Sequence, residues 1–153
     1  VDITAANRGT EKLVAAKAEG ADDTVSWGRE MSEEQQLKAT IKDGKKKYDA
    51  VIDFIGNPRS VQVGFGSIRT GGTLQLVGML GGPVPLEITQ FLFYNCSVQG
   101  VKVATLDAMK EMVNFLSKQK LKFDSEVYKL EQINDVFKRL KEGKVKGRAV
   151  IKY

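Results

Sequence analysis

A chain of 153 residues with 42% hydrophobic content is long enough to bury about two-thirds of its unfolded surface around a core of its own. Its formal charge of +5 comes from 24 basic and 19 acidic residues, with no histidine and a single cysteine, Cys96. Those counts exclude an internal disulfide, a His/Cys zinc site and a Ser-His-Asp arrangement, and the lack of any apolar run of about eighteen residues excludes a membrane-spanning helix. No charged-then-apolar signal segment opens the chain, so the expected location is cytoplasmic. The basic residues are spread out, with one local cluster at Lys45, Lys46 and Lys47, read as a solvated loop. No aromatic stacking platform accompanies it, which argues against nucleic-acid binding. Cys96 reads as a buried small hydrophobe, because no histidine exists to activate it.

In chain order, VDITAAN (residues 1–7) reads as a strand that enters a turn at Asn7-Arg8-Gly9. Thr10 is the expected cap of the next helix, which Gly20 stops. Thr24 to Trp27 forms a short strand, and Ser32-Glu33-Glu34-Gln35 has capping-box spacing for a helix that runs to about Lys42. The stretch Tyr48 to Gly82 organises the rest: AVIDFIG and TLQLVGML are apolar, β-branched runs ending on glycine, expected to be two buried parallel strands joined by a helix from about Pro58 to Ile68. Gly64-Phe65-Gly66 inside that helix imitates the start of a dinucleotide fingerprint, but it lacks the third glycine and does not follow a strand directly. Ile88 to Tyr94 reads as a short helix and Ser97 to Val103 as the last strand of the sheet. Leu106, Met109, Val113 and Leu116 share one helical face, as do Ile133, Val136, Phe137 and Leu140, and Arg148 to Tyr153 closes as a strand.

In parallel sheets, ligands bind beyond the carboxyl ends of the strands. Here those ends are Phe54-Ile55-Gly56-Asn57 and Val77-Gly78-Met79-Leu80, where glycine would let another molecule approach the backbone. An aspartate closing a strand before an apolar-Gly step, a helix, then GGTLQLVG resembles the coenzyme domain of the medium-chain alcohol dehydrogenase and quinone reductase superfamily. Upstream, NRGTEKLVAAKAEGAD is similar to that family's second strand-to-helix turn and helix. Downstream, NCSVQG and LEQINDVFKRLKEGKVKGRAVIKY are similar to its last sheet strand and its closing helix, turn and strand. The resemblance covers nearly the whole chain and implies an α/β fold, an incomplete doubly wound parallel sheet of Rossmann type. Residues 1–103 are then a partial dinucleotide-binding domain without its first βα unit and Gly-rich turn, and residues 104–153 a segment that in the family returns to the catalytic domain.

The implied function is part of an NAD(P)-dependent alcohol dehydrogenase or related reductase, holding the dinucleotide for hydride transfer to or from an alcohol or carbonyl substrate. The chain alone is expected to be inactive, and any zinc to belong to an N-terminal part it lacks. The alternatives are a non-catalytic α/β module used for protein association and a small α/β protein that binds no nucleotide. By resemblance, Asn7 and Arg8 stand at the adenosine-ribose turn, Ile55 and Gly56 by the nicotinamide ribose, and Val77, Gly78, Met79, Val101 and Val103 by the nicotinamide and its carboxamide. Arg148 matches an arginine that reaches the pyrophosphate. The last strand departs from the family pattern, reading QGVKVAT where a small residue and a second glycine are common. Asn7 occupies the position where NAD-binding members carry a carboxylate, and Arg8 could pair with a 2′-phosphate, so NADP is placed ahead of NAD. The edge Ser97 to Val103 is expected to pair with its copy in a homo-oligomer.

Overall fold

The computed structural model describes residues 1–45, 47–102, 104–118 and 124–153. It divides into two compact units, Val1–Val103 and Ala104–Tyr153. The first alternates strand and helix: β1 (Thr4–Asn7), α1 (Thr10–Ala18), β2 (Asp23–Ser26), α2 (Glu33–Thr40), β3 (Tyr48–Asp53), α3 (Pro58–Ser67), β4 (Ile68–Leu76), α4 (Ile88–Tyr94) and β5 (Ser97–Gly100). Every strand pair is parallel, as helical crossovers require. β1 pairs with β2, and β3-β4-β5 form a second sheet, so the parallel sheet is split into two ladders.

The helices start where local chemistry directs them. Ser32 and Gln35 form a reciprocal capping box at α2, and Asn57 with Ser60 forms another at α3, where Pro58 takes the first helical position. The expectation for Thr10 is corrected: Gly9 is the cap residue of α1, no side-chain bond caps that end, and Thr10 is the first helical residue. The Gly64-Phe65-Gly66 stretch is an internal part of α3.

Helix α3 links the two ladders. Its Val61 and Phe65 pack with Ile68 and Leu74 of β4, while its Val63 packs with Val25 and Trp27 beside β2. The Trp27 indole N–H donates to the Thr40 hydroxyl (3.0 Å), which fastens the end of β2 to α2. Cys96 is half-buried against the β4 cluster, with its thiol 3.5 Å from the Gln90 carbonyl.

Three strand expectations need correction. β3 is not a buried strand: Ile52 is 55% exposed, and no strand pairs with the edge of β3 away from β4 among the described residues. β4 begins at Ile68 rather than Thr73 and ends at Leu76, so Val77 to Leu80 are not part of the ladder. β5 ends at Gly100, and Val101 is 47% exposed rather than buried; it continues the strand only through its N–H bond to the Leu76 carbonyl (2.9 Å).

The second unit contains α5 (Leu106–Lys118), β6 (Ser125–Lys129), a 3-10 turn (Leu130–Gln132), α6 (Ile133–Lys141) and β7 (Arg148–Lys152). Strand β6 was not expected from the sequence; it pairs in parallel with β7 from Ser125 opposite Arg148 to Lys129 opposite Lys152. Val136 of α6 is buried, whereas Leu106, Met109, Val113 and Phe115 of α5 are exposed. A polar cluster holds this unit instead: Arg139 donates to the Tyr128 hydroxyl (2.6 Å) and pairs with Glu126 (3.1 Å), and the Lys146 N–H donates to Glu126 (2.6 Å).

Candidate functional site

The carboxyl ends of β3 and β4 are organised by one buried carboxylate. Asp53 accepts the Ile55 N–H (2.7 Å) and Gly56 N–H (3.1 Å) on one oxygen and the Ser60 hydroxyl (2.7 Å) on the other. Its backbone carbonyl accepts from Val77 N–H and Gly78 N–H, each at 2.9 Å. A single side chain thereby ties the end of β3 to the start of α3, while its own peptide carries β4 past the ladder.

The glycines at this corner have a packing reason of their own. A Cβ on Gly56, whose φ is +69°, would lie 2.0 Å from the Gly78 carbonyl oxygen, and a Cβ on Gly78 would lie 2.2 Å from the Ile55 carbonyl carbon. The two corners pack backbone against backbone, held further by the bond from Gly81 N–H to the Gly56 carbonyl (2.8 Å). This close approach accounts for both glycines without a ligand.

A cleft of about 300 Å³ opens beside the carboxyl ends of β1 and β3. Of the expected residues it brings together Asn7, Arg8 and Ile55; Gly56, Val77, Gly78, Met79 and Val101 do not line it. Met79 is 94% exposed. Val103 lies outside the described residues. Arg148 opens β7 in the second unit, where its backbone N–H donates to the Asp124 carbonyl (3.0 Å).

Within the cleft, the Asn7 side-chain oxygen accepts the Gly9 N–H (3.0 Å), a local Asx turn that starts the path into α1. Its carbonyl accepts the Trp27 N–H (2.9 Å). The Asn7 side chain carries no charge, offers two N–H donors on its NH₂ and keeps one lone pair on its oxygen.

The structure adds five residues to this wall that sequence reasoning missed: Lys12, Trp27, Gln36, Arg59 and Ser60. Lys12 follows Arg8 by four residues, a spacing that could have drawn it in. Arg59 stands in the first turn of α3, a turn with no acidic residue, although helix N-termini favour acids. Arg8, Lys12 and Arg59 make no hydrogen bond or ion pair with side chains among the described residues, and no carboxylate lines the cleft. Gln36 is fully buried with neither amide atom partnered, which costs about 1–3 kcal/mol. The cations and amide donors fit an anionic, polar ligand. No group of three or more metal-ligating side chains exists among the described residues, so nothing described here fits zinc.

The family model for zinc-binding dehydrogenases matches residues 1–118. The chain belongs to that family. An alcohol dehydrogenase from Geobacillus stearothermophilus is 32% identical over 152 residues, covering 99% of this chain and 43% of that protein. Another, from Moraxella sp., is 27% identical, with 100% and 44% covered. The crystal structure of the alcohol dehydrogenase from Aeropyrum pernix superposes with a TM-score of 0.86 at 27% identity, over 99% of this chain and 42% of that one. The chain therefore spans less than half the length of the dehydrogenases it matches, and its fold is the Rossmann-like coenzyme domain of that family. No described helix is long and apolar enough to cross a membrane.

Proposed function

We propose that this chain is the dinucleotide-holding portion of an NADP-dependent alcohol dehydrogenase. The observation that carries the reading is the turn after β1. Asn7 is an uncharged amide whose oxygen already accepts the Gly9 N–H, and the exposed Arg8 beside it has no side-chain partner among the described residues. A carboxylate there would accept both ribose hydroxyls and repel a 2′-phosphate; a donor and a free guanidinium favour the phosphate. NAD is the second choice.

When bound, the nicotinamide supplies the hydride acceptor or donor for an alcohol or carbonyl substrate. This chain's part is to hold and orient it. Ile55 and Gly56 are assigned to the nicotinamide ribose, and the backbone of Val77, Gly78 and Met79, with Val101 and Val103, is assigned to the nicotinamide ring and carboxamide. Arg148 is assigned to the pyrophosphate. Residues 1–103 act as the coenzyme part, and residues 104–153 pack against the remainder of a longer protein, which also supplies the substrate pocket and any zinc. The exposed apolar face of α5 supports that packing. The open edges of β1 and β3 support a further parallel strand between them, and the outer edge of β5 supports pairing with its copy in a homo-oligomer. The location is cytoplasmic.

The test is cofactor reduction by the full-length protein with a panel of primary and secondary alcohols, alongside this chain alone. The full-length protein should reduce NADP with at least one alcohol and this chain with none. Absence of any NADP or NAD binding by the full-length protein would favour the association module.

A further inference from the structure

We infer that Arg59, on the first turn of α3, is a phosphate-reading residue of the same cleft, acting with Arg8 and Lys12 on the 2′-phosphate of the adenosine half. This rests on the NADP reading of the turn at Asn7. Three observations carry it.

The first is charge. Arg8 and Lys12 come from the start of α1 and Arg59 from the start of α3, yet all three line one cleft of about 300 Å³ that contains no carboxylate. None has an ion-pair or hydrogen-bond partner for its side chain among the described residues. Three like charges converging without a counter-charge raise each other's energy, and a dianion between them removes that cost.

The second is position. The amide groups opening a helix carry partial positive charge, so an arginine in that turn works against the helix it belongs to. The local cap of α3 is already complete through Asn57 and Ser60 (2.9 Å and 3.2 Å), so Arg59 contributes nothing to it. A residue that opposes its own helix but faces a cation-lined cleft is placed for a ligand.

The third is Gln36. Its carboxamide is wholly buried in the same wall with no partner for donor or acceptor, which marks that wall as unfinished without a polar guest. A guanidinium fork suits a phosphate monoester because two N–H groups meet two oxygens at once. 5′-AMP carries its phosphate only at the 5′ position, so a residue that reads the 2′-phosphate separates the two probes.

The experiment measures calorimetric dissociation constants of 2′,5′-ADP and 5′-AMP for the full-length protein, as wild type, Arg59→Ala and Arg59→Lys. Arg59→Ala should weaken 2′,5′-ADP about tenfold and leave 5′-AMP within about twofold, with Arg59→Lys between. Equal weakening of both probes, or no change in either, overturns the assignment of Arg59 while leaving a wild-type preference for 2′,5′-ADP intact. If the wild type itself binds both probes equally, the NADP reading fails and the Arg59 role falls with it. Should Arg59→Ala not fold, Arg59→Lys decides alone: an unchanged ratio of the two constants counts against the proposal.

Discussion

The first unit has a cleft at each rim of its β3-β4-β5 sheet or close beside it, and both carry cations, but in opposite conditions. At the amino ends of β3 and β4 a cleft of about 270 Å³ is lined by Lys47 and Arg69. There Lys47 donates to the Gly66 carbonyl at the end of α3, and Arg69 donates to Asp49 (2.6 Å) and to the Thr70 carbonyl (2.5 Å). Burial pushes the Lys47 amine below its ordinary value. At the carboxyl rim Arg8, Lys12 and Arg59 have no such partners among the described residues. Cations already engaged with the fold are structural, whereas cations left open around a cavity await a guest. That difference, rather than the number of basic residues, distinguishes a ligand site from a charged surface.

The largest effect should come from the glycine corner that shapes the carboxyl rim. Gly78→Ala should cost about 3 kcal/mol of stability, because its methyl would meet the backbone of Ile55 at 2.2 Å and the peptide of Gly56 at 2.4 Å. Gly81→Ala is the control: its φ is +78° but nothing lies within 4 Å, so only the backbone strain of about 1 kcal/mol remains. Chemical denaturation of the two variants checks the order, and equal losses would mean the corner is not packed as described.

A smaller effect is expected at the far end of the chain. Arg148→Ala in the full-length protein should raise the cofactor dissociation constant about tenfold, near 1.5 kcal/mol for a charged hydrogen bond. An unchanged constant in a fluorescence titration would remove Arg148 from the pyrophosphate. The amino rim should respond least: Arg69→Ala breaks a solvent-exposed pair and should leave cofactor affinity within about twofold. A larger change would erase the contrast between the rims.

The second unit offers a pH test. The Tyr128 hydroxyl, then the Lys146 N–H, hold the Glu126 carboxyl below its ordinary 4.5, while the hydrogen bond to Glu126 raises the Tyr128 phenol above 10.0. For Glu126 the folded value is depressed, so its stabilisation is present above 4.5 and is lost as the pH falls through the lower folded value. For Tyr128 it is present below 10.0 and lost as the pH rises through the higher one. Circular dichroism melts of wild type and Glu126→Gln should therefore converge in acid; melts equally far apart at every pH would contradict the pairing.

Much of this architecture was legible because its signals are local. Asn57, Pro58 and Ser60 announce α3 by capping chemistry alone, and Ile88–Tyr94 matches its apolar run residue for residue. What was not legible depends on neighbours distant in sequence. β3 reads as buried, yet Ile52 is exposed and one edge of the strand has no described partner. Strand β6 is short, with charged or polar residues at Ser125, Glu126 and Lys129, and it exists through its pairing with β7. Asn7, Arg8 and Ile55 were found from motifs. Lys12, Trp27, Gln36, Arg59 and Ser60 come from α1, the end of β2, α2 and α3, and only folding brings them to one wall. The glycines at 56 and 78 were found as a candidate binding edge; that they also admit each other's backbone depends on how the two corners meet in the fold.

Selection of the phosphorylated cofactor rests on the uncharged Asn7 amide and on the cations beside it, which have no side-chain partner among the described residues. The most direct measurement is the ratio of kcat/KM with NADP to that with NAD in the full-length enzyme, for wild type and Asn7→Asp. The wild type should favour NADP, and Asn7→Asp should shift the ratio toward NAD by about tenfold or more, as a carboxylate accepts the ribose hydroxyls and repels the phosphate. A wild type that already prefers NAD, with the same ratio in Asn7→Asp, would contradict it.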